Sequence, residues 1–315
     1  MSPTTLVRGR LAEHPLWSRA LAAPALVSRL VKPVIVSARV EDRERLPEAP
    51  WLERLSLTEL VRDARAALSA GFAGFLLFGT SDRKDERAMI ASERDHVVTR
   101  AIHALKDAVP DLAVATDVCV CAYTPHGQCV LFAEGNADVD GTLGRLAEIA
   151  LVHADAGADL LIPSGMLDGT VRALRAALAG SDHASVPVAA MLKLESHLYA
   201  MHRTAVEGMP VHERAVPLID PTDADAARAR AVREVAAGAD AVIVKPGLAT
   251  LDHVVRVAAA ADRPVFSYFT ADEHAFFTSE SLNDGPAAER ESLVAARRSG
   301  ADMIISHASP DAAEA

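Results

Sequence analysis

The sequence predicts an α/β protein with a single (β/α)8 TIM barrel and an N-terminal arm, and three observations support this prediction. Short uninterrupted apolar runs alternate with longer amphipathic stretches along the chain. Strands of a parallel sheet that is buried on both faces have such runs, and the amphipathic stretches are typical of the connecting helices. A small residue followed by Gly precedes four of the runs, and 315 residues are enough for eight strand–helix units.

The predicted strands are the apolar runs, and the predicted helices are the stretches between them. A Gly before a strand accepts the left-handed conformation that ends the preceding helix. In chain order the predicted strands are Pro33–Ser37, Phe75–Phe78, Leu112–Thr116, Leu160–Ile162, Val186–Leu192, Ala241–Val244, Pro264–Tyr268 and Met303–Ile305. The predicted helices are Thr58–Leu68, Asp95–Asp107, Thr142–Asp155, Val171–Leu178, Ala224–Ala236, Asp252–Ala261 and Ala287–Arg298.

Eight strands that alternate with helices favour a closed barrel over the alternative, a doubly wound open sheet. The first strand is also not followed by the Gly-x-Gly-x-x-Gly turn that is typical of nucleotide-binding open sheets. Residues 33–315 therefore form the predicted barrel domain. Residues 1–32 form the predicted arm, which is either a mobile tail or a segment that packs on a neighbouring subunit.

The overall composition narrows the classes of function. The net charge of −11 argues against binding to nucleic acids or anionic membranes, because phosphates require local positive charge. No apolar run reaches the roughly 18–20 residues of a membrane span, and the N-terminus does not resemble a signal peptide. We therefore expect a cytoplasmic protein. The three cysteines are an odd number, which argues against a disulfide framework.

Reactive side chains follow several predicted strands, at the end of the barrel where active sites of this fold lie. The chain has 27 arginines and only five lysines, yet Lys193 and Lys245 end neighbouring strands, and Asp117 and Ser164 follow two others. A lysine can lose its proton and attack a carbonyl, whereas an arginine stays protonated. Apolar surroundings favour this loss. We therefore predict a Schiff-base pair of lysines; the alternative is that each lysine reaches out to solvent.

All three cysteines follow the third predicted strand, in a Cys-x-Cys-x7-Cys pattern formed by Cys119, Cys121 and Cys129. Three thiolates at this spacing can hold one Zn²⁺ ion and leave a fourth position open to water or substrate. The alternatives are three small buried residues or a reversible contact between Cys119 and Cys121. His126 is either a fourth ligand or, as we prefer, a hydrogen-bonding residue of the loop.

The long stretch Ser196–Val216 follows the strand that ends in Lys193, and its length predicts a lid over the barrel mouth. It contains Tyr199, Arg203 and Arg214. The two arginines are suited to hold a substrate carboxylate in a bidentate manner. The alternative is that they are solvated surface residues.

Several of these segments resemble the porphobilinogen synthase (5-aminolevulinate dehydratase) family. The cysteine loop reads Asp117-Val-Cys-Val-Cys-Ala-Tyr-Thr-Pro-His-Gly-Gln-Cys129 and is similar to the zinc loop of that family. Similar matches occur at Pro163–Gly169, Val244–Gly247, Leu251–Asp252, Lys84–Arg87 and Ser299–Met303. The resemblance extends from about Pro33 to Ala308, which is nearly the whole predicted barrel.

The resemblance implies a reaction. The family joins two 5-aminolevulinate molecules into the pyrrole porphobilinogen with loss of two waters. It implies that Lys193 and Lys245 each form a Schiff base with one substrate and that Asp117 assists proton transfer. It also implies that zinc on the three cysteines helps to bind the second substrate. The family is usually a homo-octamer with N-terminal arms, so we expect a homo-oligomer.

The resemblance also implies which residues bind the substrates. Tyr199, Arg203 and Arg214 fall where the family has lid residues, and the two arginines would hold the carboxylate of the second substrate. We add Ser164 and His307 to the predicted substrate-binding set.

Some positions depart from the family pattern. The family grips the carboxylate of the first substrate with a Ser and a late Tyr, which here fall on Ala271 and His307. The lid Gln near the second carboxylate falls on Leu218, and the second His of the zinc loop falls on Gln128. The Phe before the lid arginine falls on His202.

Three hypotheses of function follow. The first is porphobilinogen synthase itself, with Thr270 and His307 compensating for the lost groups. The second is a diverged paralogue that uses the same lysines and zinc on another carbonyl substrate in specialised metabolism. The third is a non-catalytic barrel that binds a metal or a partner. The altered carboxylate grip favours the second, because losing a buried hydrogen-bonding partner weakens binding by about 1–3 kcal/mol per group.

Overall fold

The computed structural model describes residues 9–313, and these form a barrel of eight parallel strands. The twelve strands are β1 (Leu30–Ser37), β2 (Arg43–Leu46), β3 (Ala49–Leu55), β4 (Gly74–Thr80), β5 (Ala113–Val118), β6 (Leu131–Ala133), β7 (Asn136–Asp138), β8 (Leu160–Pro163), β9 (Ala189–Lys193), β10 (Ala241–Lys245), β11 (Val265–Tyr268) and β12 (Met303–Ile305). The barrel strands pair in the order β8-β5-β4-β1-β12-β11-β10-β9. A parallel bridge between Leu161 and Val188 joins the two ends of this sheet.

Helices connect the strands on the outside of the barrel. They are α1 (Arg10–Glu13), α2 (Pro15–Ala22), α3 (Leu57–Ser69), α4 (Val97–Ala108), α5 (Val139–Asp155), α6 (Thr170–Ala179), α7 (Ala200–Ala205), α8 (Ala226–Ala236), α9 (Leu251–Ala260), α10 (Ala271–Phe277), α11 (Gly285–Arg298) and α12 (Pro310–Ala313). In this range no helix has both the length and the apolar composition required to cross a membrane.

The predicted barrel is confirmed, with every predicted strand and helix present and boundaries shifted by three residues or fewer. The elements that the sequence pattern does not predict are the two hairpins β2–β3 and β6–β7 and the short helices. The β2–β3 hairpin carries charged residues such as Arg43 and Glu44, so it forms no apolar run, although β3 pairs with β1 beside the barrel.

The repeated Gly-Ala-Asp turn has a structural role at the N-terminal end of the barrel. Its glycine adopts positive φ in each copy, and its aspartate exchanges two hydrogen bonds with the neighbouring strand. The N–H groups of Asp159, Asp240 and Asp302 donate to carbonyl oxygens of Val114, Val188 and Val265 at 2.7–2.8 Å. The same three valine N–H groups donate back to the Oδ2 atoms of those aspartates at 2.8–3.0 Å.

The described part of the predicted arm packs on these turns of its own barrel, whereas residues 1–8 lie outside the described residues. Trp17 is fully buried, and its indole N–H donates to the Asp159 carbonyl oxygen at 2.9 Å. His14 Nε2 lies 3.2 Å from Asp159 Oδ1, and Arg10 pairs with Asp240 at 3.2 Å. Apolar burial and these polar contacts attach residues 9–29 to their own barrel.

Candidate active site

Lys193 and Lys245 lie side by side at the C-terminal end of the barrel. They are the last residues of β9 and β10 and occupy the same register of the sheet. Only 8% and 5% of their surfaces are exposed. Both ammonium groups face the ring of Tyr199, with centroid distances of 4.7 Å for Lys193 and 5.5 Å for Lys245. The Nζ atom of Lys245 also lies 3.8 Å from the ring centroid of Tyr268.

Burial lowers the pKa of both lysines. For Lys193 the next largest influence is the Cys129 thiol, which raises the pKa, while Arg203 lowers it. For Lys245 burial and then the positive charge of Lys193 push the pKa well below its ordinary value, and Asp117 opposes them. A lowered pKa leaves a larger fraction of each amine neutral, which is the form that attacks a carbonyl.

Asp117, near the end of β5, is the acidic group of this site. Burial raises its pKa to about 7, a hydrogen bond from Ser164 opposes the increase, and the negative charge of Cys129 adds to it. Within residues 9–313 its buried Oδ1 atom has no hydrogen-bond partner. A carboxyl group with this pKa, and with one oxygen that has no hydrogen-bond partner, can take up or release a proton.

The three cysteines form one cluster in the loop after β5. Their Sγ atoms all lie within 4.8 Å of one another, and none forms a disulfide. A tetrahedral zinc ion with Zn–S distances of about 2.3 Å would place the sulfurs about 3.8 Å apart, so the cluster fits one such ion after small shifts. Hydrogen bonds from the other two thiols lower the pKa of Cys129 well below its ordinary value, although burial opposes this.

His126 lies in the same loop but outside this thiol cluster. Its Nδ1 atom accepts the N–H of Gln128 at 3.1 Å, and its ring packs edge-to-face on Phe132. The residue therefore hydrogen-bonds within its loop, which is the role we expect for it in place of that of a fourth ligand.

The predicted lid contains the short helix α7 and covers the site. Tyr199 precedes α7, is 4% exposed, and places its hydroxyl 2.7 Å from the Leu194 carbonyl oxygen and 3.1 Å from that of Lys245. This hydroxyl therefore ties the lid to the strand ends, and the ring lies against the two lysines. Tyr199 is therefore placed to position the two lysines rather than to bind a substrate.

The two lid arginines reach the site from different parts of the lid. Arg203 is 8% exposed, and its Nη2 lies 3.9 Å from the Cys129 Sγ. Arg214 lies with its guanidinium carbon 5.7 Å from the Tyr199 ring centroid and its Nε 4.0 Å from a Glu195 carboxylate oxygen. In the described chain, Arg203 Nε and Arg214 Nη1 are both buried and lack an acceptor. They are thus suited to an anionic ligand.

Two adjoining cavities collect most of the predicted residues. The first is lined by both lysines together with Asp117, Cys121, Cys129, Ser164, His202, Arg203 and Tyr268. The second is lined by Lys193, Cys129, Ser164, Arg203, Arg214, Gln128 and Leu218. His307 and Tyr199 do not line either one, because the Tyr199 ring lies against the two lysines from the lid and His307 packs on Trp51.

The Lys245 side is aromatic and rich in histidine. His307 packs edge-to-face on Trp51 at 5.4 Å, and burial, followed by the charges of His274, Lys32 and Lys245, keeps its pKa well below the ordinary value. His202 packs on Phe78 at 4.3 Å. Burial and then the charge of Lys245 lower its pKa in the same way. Neutral imidazoles therefore occupy this side.

The altered position Ala271 is 1% exposed and begins α10. The Thr270 hydroxyl accepts the Glu273 N–H at 3.1 Å, and Glu273 Oε2 accepts the Thr270 N–H at 2.7 Å, which together cap the helix. The Thr270 hydroxyl is thus an acceptor in a capping box and retains its O–H as a donor.

Sequence reasoning missed two residues of this site. Tyr268 ends β11, and the strand-end rule that identified the lysines would have found it. Trp51 lies on the unpredicted strand β3, so the sequence offered no signal for it.

Comparisons with known proteins agree with this geometry. Residues 8–315 match the family described as delta-aminolevulinic acid dehydratase. The chain is 35% identical to the delta-aminolevulinic acid dehydratase of Methanothermobacter thermautotrophicus over 317 aligned positions, covering 98% of this chain and 96% of the relative. It is 36% identical to that of Synechococcus elongatus, covering 84% of each chain.

A solved structure shows the same relationship. The chain resembles the delta-aminolevulinic acid dehydratase (porphobilinogen synthase) of Toxoplasma gondii, determined with the reaction product porphobilinogen, at a TM-score of 0.86 and 29% identity. The match covers 95% of this chain and 88% of that one. The chain is therefore an enzyme of the lyase class and belongs to the delta-aminolevulinic acid dehydratase family.

Proposed function

We propose that this protein condenses two molecules of 5-aminolevulinate into porphobilinogen with loss of two waters. The observation that carries the proposal is the pair of buried lysines, Lys193 and Lys245, which share one register and both lie against the Tyr199 ring, beside the thiol cluster. The relatives are named for this reaction, and the Toxoplasma gondii structure contains its product.

The two amines account for the two waters. Each neutral lysine attacks the ketone carbon of one substrate. Formation of the resulting Schiff base releases one water. Formation of the carbon–carbon bond at one substrate carbon, and of the carbon–nitrogen bond at the other, displaces each lysine and restores its free amine. Two waters therefore leave for each pyrrole, and the enzyme is unchanged.

Other residues would bind the substrates and move protons. Asp117, with its unpaired Oδ1 atom, would accept a proton from a substrate carbon and return it to a displaced lysine nitrogen. Arg203 and Arg214, with their unsatisfied N–H groups, would hold the carboxylate of the substrate on Lys193. Ser164 lines both cavities and would orient that substrate.

We propose zinc as the ion of the thiol cluster, with Cys119, Cys121 and Cys129 as its ligands. Three cysteine sulfurs form a soft donor set that favours zinc over magnesium or calcium. When bound, zinc would act as a Lewis acid toward an oxygen or nitrogen of the second substrate. The chain's contribution is to keep the three sulfurs together and to place Arg203 near Cys129.

A second candidate function keeps the chemistry and changes the substrate. Ala271 provides no hydroxyl, and the neutral His307 replaces a tyrosine expected from the family pattern. The buried His307 Nε2 and His202 Nδ1 atoms have no partner among the described residues. These unpaired nitrogens favour a diverged enzyme whose first substrate carries a polar group other than the carboxylate of 5-aminolevulinate.

One experiment separates the two functions. Purified, zinc-loaded protein is incubated with 5-aminolevulinate and porphobilinogen is measured, with Lys193→Arg and Lys245→Arg as inactive variants and Lys106→Arg as the matched control. Lys106 pairs with Asp159 at the opposite end of the barrel, so its replacement should leave turnover unchanged. Turnover in the wild type establishes the first function. Absence of product, with a ketone still trapped on Lys245, establishes the second.

We also propose that the chain works in the cytoplasm as a homo-oligomer, an octamer by analogy with the family. Light scattering after size-exclusion chromatography would then give a mass of about eight times 33.3 kDa. A monomer mass across the micromolar range would overturn this proposal.

A further inference from the structure

One buried side chain joins the cysteine loop to the outer part of the lid, residues 209–218, which we call the strap. Gln128, the only glutamine of the chain, is 5% exposed. Its Nε2 donates to the Glu213 carbonyl oxygen at 2.8 Å and to that of His212 at 3.3 Å. Its Oε1 accepts the Ala215 N–H at 3.2 Å. All hydrogen-bonding groups of this amide except one lone pair are therefore used on the strap.

The strap itself is largely exposed, and it rests on the cysteine loop. Among the described residues, its one further hydrogen bond to the rest of the chain runs from the Val211 N–H to the His126 carbonyl oxygen, at 3.2 Å. The strap and the cysteine loop approach each other closely at Gly127. A Cβ added to Gly127 would lie only 2.1 Å from the Met209 carbonyl oxygen. An exposed segment with so few bonds depends on each of them for a defined position.

The inner part of the lid has separate support. Arg54 Nε donates to the Ala205 carbonyl oxygen at 2.8 Å, and Lys84 Nζ donates to that of Glu207 at 2.5 Å. Arg203 donates to the Gly208 carbonyl oxygen at 3.0 Å. Arg203 is therefore fixed without help from Gln128, whereas Arg214 lies on the strap between two of the residues that Gln128 holds.

We propose that Gln128 is a positioning residue that sets Arg214 against the Lys193 side of the site, and so determines how tightly the second substrate's carboxylate is bound. This inference rests on the proposed function. Arg214 and Gln128 line the same cavity as Lys193. The strap holds the Arg214 guanidinium near the place where the carboxylate would bind, so less ordering is required on binding. Loss of Gln128 removes that preorganisation but leaves both lysines and Asp117 in place.

The kinetic consequence is a selective effect on substrate binding. Gln128→Met keeps the length of the side chain and removes all three strap bonds. We expect KM for 5-aminolevulinate to rise on the order of tenfold, with kcat changed by less than about twofold. A purely structural role for Gln128 would instead lower the active fraction and therefore kcat, with KM unchanged.

A double-mutant cycle identifies the route of the effect. If Gln128 acts through Arg214, then Gln128→Met raises KM in the wild type and has no further effect in an Arg214→Ala background. In an Arg203→Ala background the full effect remains, because Arg203 is anchored by other bonds. Equal effects of Gln128→Met in all three backgrounds would overturn the proposal.

Amide hydrogen exchange tests the strap without any substrate. In the zinc-loaded protein, Gln128→Met should accelerate exchange at Ala215 at least tenfold and leave Val211, which donates to His126, within about twofold. Gln128→Glu retains an acceptor for Ala215 and should accelerate its exchange less. Unchanged exchange at Ala215 would overturn the inference. Faster exchange at Ala215 without any porphobilinogen formation would support the role of Gln128 in holding the strap and reject only the proposed substrate.

Discussion

The carboxylate of Glu273 is the structural support of the segment that follows Lys245, and replacing it should affect both stability and the site. Glu273 is 1% exposed. Its Oε2 accepts the N–H groups of Gly247 at 3.1 Å and Thr270 at 2.7 Å, and its Oε1 accepts the Leu248 N–H at 2.6 Å. The side chain therefore connects the loop after β10 to the beginning of α10.

The expected loss in the free energy of unfolding follows from these three hydrogen bonds. In Glu273→Gln the amide oxygen can serve one pair of N–H groups, and the amide NH2 then faces the third N–H without an acceptor. Losing one charge-assisted bond costs about 1.5–3 kcal/mol, and weakening two others to neutral bonds adds about 1 kcal/mol in total. We expect the free energy of unfolding to fall by about 3 kcal/mol.

Urea denaturation followed by circular dichroism measures this change, with Glu280→Gln as the matched control because Glu280 is exposed. The substitution should also slow trapping of a ketone on Lys245 more than on Lys193, since only the Lys245 segment is held by Glu273. A loss of less than about 1 kcal/mol, with equal trapping on both lysines, would refute this reasoning.

Three further predictions follow from the same structure. Cys121→Ser should reduce bound zinc from one ion per chain to less than about a tenth of an ion under dilute chelator, because two sulfurs hold zinc far less tightly than three. Atomic absorption measures the bound zinc, and retention of zinc would show that Cys121 is not a ligand. Trp17→Ala should lower the free energy of unfolding by about 3–5 kcal/mol, because a fully buried indole and its hydrogen bond to the Asp159 carbonyl oxygen are lost. A change below about 1 kcal/mol in urea denaturation would show that the N-terminal segment does not pack on the barrel. Because the pKa of Lys245 is well below its ordinary value, carbonyl labelling at pH 7 should be faster at Lys245 than at Lys106. The labelling rate of Lys245, followed by mass spectrometry, should become level at a pH well below the ordinary lysine pKa, and a rate that keeps rising up to that ordinary pKa would contradict the lowered pKa.

The barrel could be predicted from the sequence because its signal is local. Each buried strand is an apolar run, and each copy of the Gly-Ala-Asp turn marks where a helix ends and the next strand begins. The hairpin β2–β3 could not be predicted this way, because β2 is largely charged, Glu53 and Arg54 interrupt the apolar residues of β3, and its position depends on pairing with β1. The docking of residues 9–29 depends on contacts with Asp159 and Asp240, far away in the chain.

The candidate site could be predicted only in part. Active-site residues of this fold follow the strands, so the sequence predicted the lysines, Asp117 and the cysteines at one end of the barrel. The structure places them in one region. The contacts that position them could not be derived from spacing. Gln128 holds residues more than eighty positions away, and Glu273 holds the segment after Lys245 from the first turn of α10.

The most direct test of the account is to identify which lysines form Schiff bases. The zinc-loaded protein is incubated with 5-aminolevulinate, reduced with borohydride, digested and mapped by mass spectrometry. We expect reduced adducts on Lys193 and Lys245 and none on Lys32, Lys84 or Lys106. Product formation with no adduct on either Lys193 or Lys245, or adducts spread over all five lysines, would contradict it.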